Sequence, residues 1–335
     1  MGLQHHVLGE PGRDNALFVR VWTGQANHRL FFDCGEGCLS TLSVSEIRAI
    51  DALCFSHLHI DHVAGFDSFL RLNFARPDTP VSIYGPEGTT RAIHHRLQGV
   101  TWNLVGGQLG RFHVTDILPD RMVTTRFLTA EAFEHACPEG ELPFRGTVFD
   151  ADGFTIEARI MDHGIPCLAY AVRESPRVNI DTAALARLRF RPGPWIQALK
   201  DATRPDEEQV VVEGEEHSLG DLRTRLMVCT PGSCIAYLTD FALDEDADHE
   251  LAEMIRDCDV IVSEASYRDA DAELARKHRH FTGTQMGRLA ADAGARKLLL
   301  FHLSDRYTRN EWRELLAEVR SVFPSASFPS HWDLG

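Results

Sequence analysis

The sequence predicts an α/β fold, on three observations. Apolar runs of strand length alternate with helical stripes along the 335 residues. Several of those runs end on a histidine or a carboxylate. One junction, Ser56-His57-Leu58-His59-Ile60-Asp61-His62, places three imidazoles and a carboxylate between a strand-like and a helix-like segment. Open α/β sheets build their sites at the carboxyl ends of strands, so the pattern marks one sheet edge as the functional one.

Taken in order, residues 16–21 and 30–33 form early strands, and Asp33-Cys34-Gly35-Glu36-Gly37 is a turn. His5 and His6 before them are expected in a flexible terminus. A short helix over 42–50 leads to the strand 52–55, which delivers His57, and a helix follows over 63–74. Residues 81–84 form a strand closed by Gly85-Pro86-Glu87-Gly88. The helix over 89–97 takes Thr89 or Thr90 as its cap, since a hydroxyl there can accept a backbone N–H, and carries His94 and His95 as surface or packing residues. Residues 100–150 show no regular period and receive no element. The strand 154–161 ends at Asp162-His163, 234–239 at Asp240, 259–263 at Glu264 and 297–301 at His302. Over about 173–230 the composition shifts to Arg173, Arg177, Arg187, Arg189 and Arg191, then Pro192-Gly193-Pro194-Trp195, then acidic Asp206-Glu207-Glu208. This predicts an insertion projecting from a single domain over 1–335. Leu251, Met254 and Ile255 share one helical face, 284–294 form another helix, and Trp312, Leu315, Leu316, Val319 and Phe323 mark a last one.

A net charge of −15 argues against a protein held on nucleic acid by its global field. It leaves room for a local basic patch, or for a site where metal ions supply the positive charge. No apolar stretch reaches membrane-spanning length, and no secretory signal opens the chain. The eight cysteines form no CxxC pair; Cys54, Cys167 and Cys258 read as small buried residues, which fits a reduced, cytoplasmic setting.

The strand-end residues suffice for two divalent ions. His57, His59 and His163 make a nitrogen-rich site, Asp61, His62 and His302 a second, and Asp240 is the natural bridge because a carboxylate offers two oxygens. Such a pair of ions suits hydrolysis of a phosphodiester. Iron in place of zinc would open a redox role instead, and manganese is a further candidate. Hydrolysis also needs a group to protonate the leaving oxygen, and Glu264 beside His280 supplies an imidazole of raised pKa.

These residues resemble the metallo-β-lactamase superfamily and, within it, the ribonuclease Z family of tRNA 3′-processing endonucleases. His57 to His62 match its HxHxDH element, Phe32 to Gly37 its Asp-Cys-Gly-Glu turn, and His163 to Tyr170 its third motif. Asp240 matches the bridging aspartate, Ser263 to Tyr267 a Glu-Ala-Thr-Phe element, His280-Phe281-Thr282 a His-Ser-Thr element, and Phe301 to Tyr307 a His-Phe-Ser-x-Arg-Tyr ending. The resemblance implies an αββα sandwich, zinc as the metal, a homodimer, and an arm over 173–230 that grips the tRNA elbow, where Arg191 to Trp195 resemble a Pro-Gly-Pro segment. It implies that Asp61, Glu264 and His280 act in catalysis, and that Ser304 and Arg306 contact substrate. The expected activity is removal of the 3′ trailer of precursor tRNA. The alternatives are a diverged hydrolase of the same fold acting on a small phosphodiester or other ester, and, more remotely, a non-catalytic binding module. Ile60, Phe241 and the segment Gly65-Phe66-Asp67-Ser68 depart from the family pattern and are expected to crowd or alter the substrate mouth.

Overall fold

The computed structural model describes residues 2–243 and 245–334. They form two compact units, one of the residues up to 174 together with those from 233 onward, the other of 175–232.

In the first unit an eight-stranded sheet runs in chain order. Its strands are β1 (Gly2–Leu8), β2 (Ala16–Trp22), β3 (Asn27–Phe32), β4 (Ala52–Cys54), β5 (Val81–Pro86), β6 (Arg111–Ile117), β7 (Arg121–Leu128) and β8 (Cys137–Pro143). The middle pairs from β3 to β6 are parallel and the outer pairs antiparallel. The second sheet comprises β9 (Thr147–Ala151), β10 (Phe154–Asp162), β11 (Pro166–Glu174), β16 (Cys234–Leu238), β17 (Val260–Glu264), β18 (Leu298–Phe301) and β19 (Ala326–Ser327). Strands β16 to β19 pair in parallel, so their carboxyl ends share one edge.

Alternation along the strands explains the layers. Leu17, Val19, Val21, Leu30 and Phe32 turn toward the second sheet, where Phe32 meets Tyr170 and Tyr237 with ring centroids 5.4 and 5.7 Å apart. Phe18 and Phe31, one residue out of phase, join the opposite core. That core is completed by helices α1 (Val44–Arg48), α3 (Phe66–Asn73) and α4 (Thr89–Leu97), through Ile47, Phe66, Phe69, Ile93 and Leu97. Helices α8 (Glu245–Met254), α10 (Gly283–Asp292) and α11 (Arg309–Val322) cover the second sheet with Leu251, Met286, Leu315, Leu316 and Val319. The result is helices, sheet, sheet, helices: an αββα sandwich. The short α2 (Ile60–Val63) and α9 (Ala272–Lys277) lie in the loops of the site edge.

Local chemistry sets several boundaries. Ser43 and Glu46 form a capping box at α1, with Glu46 N donating to Ser43 Oγ at 3.3 Å and Ser43 N to Glu46 Oε2 at 2.9 Å. Neither Thr89 nor Thr90 caps α4. Gly88, in the left-handed region at φ +96°, takes that place, and the Thr89 hydroxyl donates to Pro86 O at 2.7 Å. His5 and His6 are not in a loose terminus but in β1, with His6 stacked on His331. Residues 100–150, which showed no period, hold β6 to β8 and most of β9. Strand β8 is exposed nearly throughout and carries Pro138 and Gly140, so no apolar alternation announces it. Cys258 is buried as expected but is joined to Cys234.

The unit 175–232 has its own core of Leu185, Leu199, Val212, Leu219, Leu222 and Leu226. It contains β12 (Arg177–Ile180) paired with β15 (Met227–Thr230), the hairpin of β13 (Gln209–Val212) and β14 (Glu215–Ser218), and helices α5 (Thr182–Leu188), α6 (Trp195–Lys200) and α7 (Leu219–Leu226). Asp181 caps α5 by accepting from Ala183 N and Ala184 N. The Arg223 guanidinium binds the carbonyls of Leu199, Asp201 and Arg204. The acidic run is largely neutralised from within: Glu208 pairs with Arg204 and Asp206 with Arg223.

Candidate metal centre and acid–base dyad

Strand ends converge on one place. Three groups of side chains bring potential ligand atoms within 4.8 Å of one another: His57, His59 and His163; Asp61, His62, Asp240 and His302; and Asp240, Glu264 and His280. Every residue singled out in the sequence as a ligand or acid–base group is thus in one cluster. His302 and Asp33 sit directly after their strands with φ of +50° and +57°, and Asp240, two residues beyond β16, has φ +55°. Left-handed backbone is costly for non-glycine residues and persists where the surroundings over-determine it.

The His-rich loop is held by the turn after β3. Asp33, fully buried, accepts from Ser56 N at 2.7 Å, from Ser56 Oγ at 2.7 Å, from His62 Nδ1 at 2.7 Å and from Tyr237 OH at 2.8 Å. Cys34 N donates to His62 O at 2.7 Å and Gly65 N to Cys34 O at 2.8 Å. The two loops press so closely that a Cβ on Gly35 would lie 2.6 Å from Asp61 O, and one on Gly65 would lie 2.3 Å from Gly35 O.

These bonds decide which imidazole nitrogen faces the site. With its Nδ1–H given to Asp33, His62 turns Nε2 toward Asp240 Oδ2, 2.7 Å away. The Ser56 hydroxyl, donating to Asp33, accepts from His57 Nδ1 at 3.1 Å and leaves His57 Nε2 facing inward. His163 Nδ1 donates to Arg279 O at 3.0 Å, and His302 Nδ1 to Ser266 Oγ at 3.1 Å. His57 Nε2, His62 Nε2 and Asp240 Oδ1 are buried and lack a hydrogen-bond partner within the protein. Buried atoms left so cost about 1–3 kcal/mol each. Imidazole nitrogens and carboxylate oxygens brought together in this way form a donor set that fits divalent metal. Burial, with His62 adding to it, pushes the His57 imidazole down to about 2, which keeps it a neutral ligand. Asp61 is held well below the ordinary carboxylate range: burial opposes the charge, but His302 and His62 outweigh it.

Glu264, fully buried, uses Oε1 to accept from Asp240 N at 3.0 Å and Oε2 to accept from His280 Nδ1 at 2.7 Å. Burial works against a charged His280, yet the Glu264 carboxylate prevails and raises it to about 9. The ring of His280 lies 4.9 Å from that of His163 and 5.3 Å from that of Tyr267. Arg306 stands over Tyr267 at 4.5 Å, with its Nε bonded to Ser304 Oγ at 3.0 Å. Ser304 therefore holds Arg306, and both lie one ring beyond His280. The sequence offers no role for Asp33, Ser56, Ser266 or Arg279, which bond the imidazoles; only the turn motif around Asp33 hints at one.

Two departures resolve differently. Phe241 does not crowd the mouth: it is fully buried against Phe281, ring centroids 5.2 Å apart. Phe66 is likewise buried, against Phe55 and Phe69. Ile60, between two candidate ligands, is 69% exposed, and Asp67 and Ser68 are exposed as well.

A β-lactamase superfamily domain matches residues 28–164. The ribonuclease Z of Deinococcus radiodurans is 42% identical over 326 residues, covering 97% of each chain. The chain belongs to the ribonuclease Z family. It is accordingly a hydrolytic endoribonuclease, and its metallo-β-lactamase fold and His/Asp groups make it a divalent-metal protein. Solved structures share the fold. The metallo-β-lactamase fold protein YhfI of Bacillus subtilis has a TM-score of 0.55 at 16% identity, covering 98% of this chain and 96% of its own. The short form of human tRNase Z has a TM-score of 0.51 at 18% identity, covering 91% and 94%. No helix among the described residues of this ribonuclease Z family member is long and apolar enough to cross a membrane.

Proposed function

We propose that this protein removes the 3′ trailer of precursor tRNA by a single cut after the discriminator nucleotide, using two divalent ions, with zinc as the native metal. The observation that carries the reading is the Glu264–His280 pair, 2.7 Å apart and bonded through Glu264 to the backbone of Asp240, in the midst of the ligand groups. A metal site alone serves many hydrolases; a buried carboxylate–imidazole pair beside it serves one that must protonate a poor leaving group.

His57, His59 and His163 would hold one ion and Asp61, His62 and His302 the other, with Asp240 shared. When bound, the ions neutralise phosphate charge and make water acidic enough to ionise near neutral pH. Asp61 orients the attacking water and accepts its proton. The P–O3′ bond breaks as His280, its Nδ1–H held by Glu264, gives a proton to the departing oxygen, which stays on the mature tRNA as a 3′ hydroxyl. The trailer leaves with the 5′ phosphate. Arg306, stacked on Tyr267 and tied to Ser304, supplies a fixed positive charge for a neighbouring phosphate.

The unit 175–232 is proposed as the tRNA-gripping arm. Three of its acids pair with arginines, Glu208 with Arg204, Asp206 with Arg223 and Asp221 with Arg225, whereas no carboxylate lies against the side chains of Arg189, Arg191 and Lys200 among the described residues. These supply the local positive charge that a net −15 chain needs to hold phosphate. A cytoplasmic homodimer completes the proposal, with sedimentation as its check.

The test is cleavage of a precursor tRNA carrying a 3′ trailer, with zinc or manganese, beside bis(p-nitrophenyl) phosphate. One cut leaving a 3′ hydroxyl at the discriminator is expected. Turnover of the small diester with the tRNA untouched would overturn the tRNA assignment and favour a small phosphodiester as substrate.

A further inference from the structure

Beneath the site, polar contacts cross between the two sheets through a largely apolar core. Tyr170 and Tyr237 lie directly opposite each other on the antiparallel pair β11 and β16. Both are buried, and both flank Phe32. Each sends its hydroxyl across to the first sheet, with different targets. Tyr170 OH donates to the backbone carbonyl of Phe55 at 2.8 Å, whereas Tyr237 OH donates to the carboxylate of Asp33 at 2.8 Å.

Asp33 is the hub from which two candidate ligands are aimed. Its Oδ2 receives His62 Nδ1 and the Ser56 hydroxyl along with Tyr237, and Ser56 in turn receives His57 Nδ1. The carboxylate plane is set by all its donors together. Oδ1 is pinned by Ser56 N, from the first sheet, and the hydrogen bond from the second sheet is the one that Tyr237 makes. Strand β16 also delivers Asp240, two residues beyond its end. One strand therefore supplies a ligand and the support for the ligands facing it, so the distance between the halves of the centre is fixed by a single stiff element.

We propose that Tyr237 is a positioning residue of the metal centre: through Asp33 it holds His62, and by way of Ser56 also His57, in the tautomer and orientation that present Nε2 to metal. This rests on the metal reading of the site given above. Outer-shell partners of this kind are worth about 10–100-fold in metal affinity when removed.

Tyr170 is the built-in control, since Tyr170→Phe and Tyr237→Phe each delete one buried, cross-sheet hydroxyl and keep an aromatic ring against Phe32. Zn2+ affinity of each variant is measured by competition with a chromophoric chelator, and thermal unfolding of the EDTA-treated proteins is followed in parallel. The two variants should lose apo-protein stability to a similar extent, while only Tyr237→Phe binds zinc more weakly, by about 10–100-fold. Zinc affinity in Tyr237→Phe equal to wild type would overturn the inference, as would equal weakening in both variants, which would make the hydroxyl a packing element only. A wild-type protein that takes up no zinc would overturn the metal reading itself and the inference with it. None of these outcomes depends on RNA cleavage, so they stay distinct from a failure of the tRNA assignment.

Discussion

His57, His59 and His163 form one side of the candidate centre, Asp61, His62 and His302 the other, with Asp240 between them, and the two sides are built differently. The first is three imidazoles, with His59 exposed and His163 half-buried. His163 is held by one backbone carbonyl, and no hydrogen-bond partner fixes the ring of His59 among the described residues. The second adds a carboxylate of its own, Asp61, to the shared Asp240, is more deeply buried, and is braced by Asp33 and Ser266. A cation between carboxylates is attracted by formal charge, and a braced ligand loses less freedom on binding. The comparison teaches that one side should hold its ion tightly and the other more loosely, within a single cluster.

The largest test is to remove what the two sides share. Asp240→Ala should strip metal from both and reduce cleavage to background. Full retention of two equivalents by metal analysis would end its role as bridge. Next, His280→Ala should keep the metal content of wild type and lower kcat by about 10²–10⁴-fold, the range for a lost general acid. Unchanged turnover would remove His280 from the chemistry. A stepwise EDTA titration should release one equivalent well before the other, and His59→Ala should abolish the early step while sparing the late one. A single concerted release would erase the distinction between the sides. The smallest effect concerns pH. Glu264 raises His280 to about 9, so the proton needed by the leaving group is present below that value and lost above it. Glu264→Gln removes the carboxylate, and the high-pH limb of the rate profile should move to lower pH. A limb that stays in place would mean another group sets it.

The residues that carry chemistry were legible because strands and ligands share a simple rule: an apolar run stops and a histidine or carboxylate follows. This holds at His57, His163, Asp240, Glu264 and His302, and the structure gathers them in one cluster, His57 from the first sheet and the others from the second. Helical stripes were legible for the same reason, since Leu251, Leu315 and Val319 recur with the helix period and are buried. Strands β6 to β8 were not, because strands with a wet face carry Thr, Arg, Glu and even Pro where the pattern expects apolar residues. The role of Gly88 in place of Thr89 escaped because a left-handed cap depends on the angle at which β5 turns into α4, not on a side chain.

Taken alone, the amino-acid sequence determined the fold class, the order of elements and the set of residues that could bind metal or move a proton, because periodicity and residue chemistry are local properties. Only the tertiary structure decided which nitrogen of each imidazole faces inward, that Phe241 packs in the core rather than at the mouth, and that Asp33 is joined to Tyr237 across 204 positions of chain. Those facts depend on two sheets meeting at a particular register, and a contact between distant segments leaves no period in either of them.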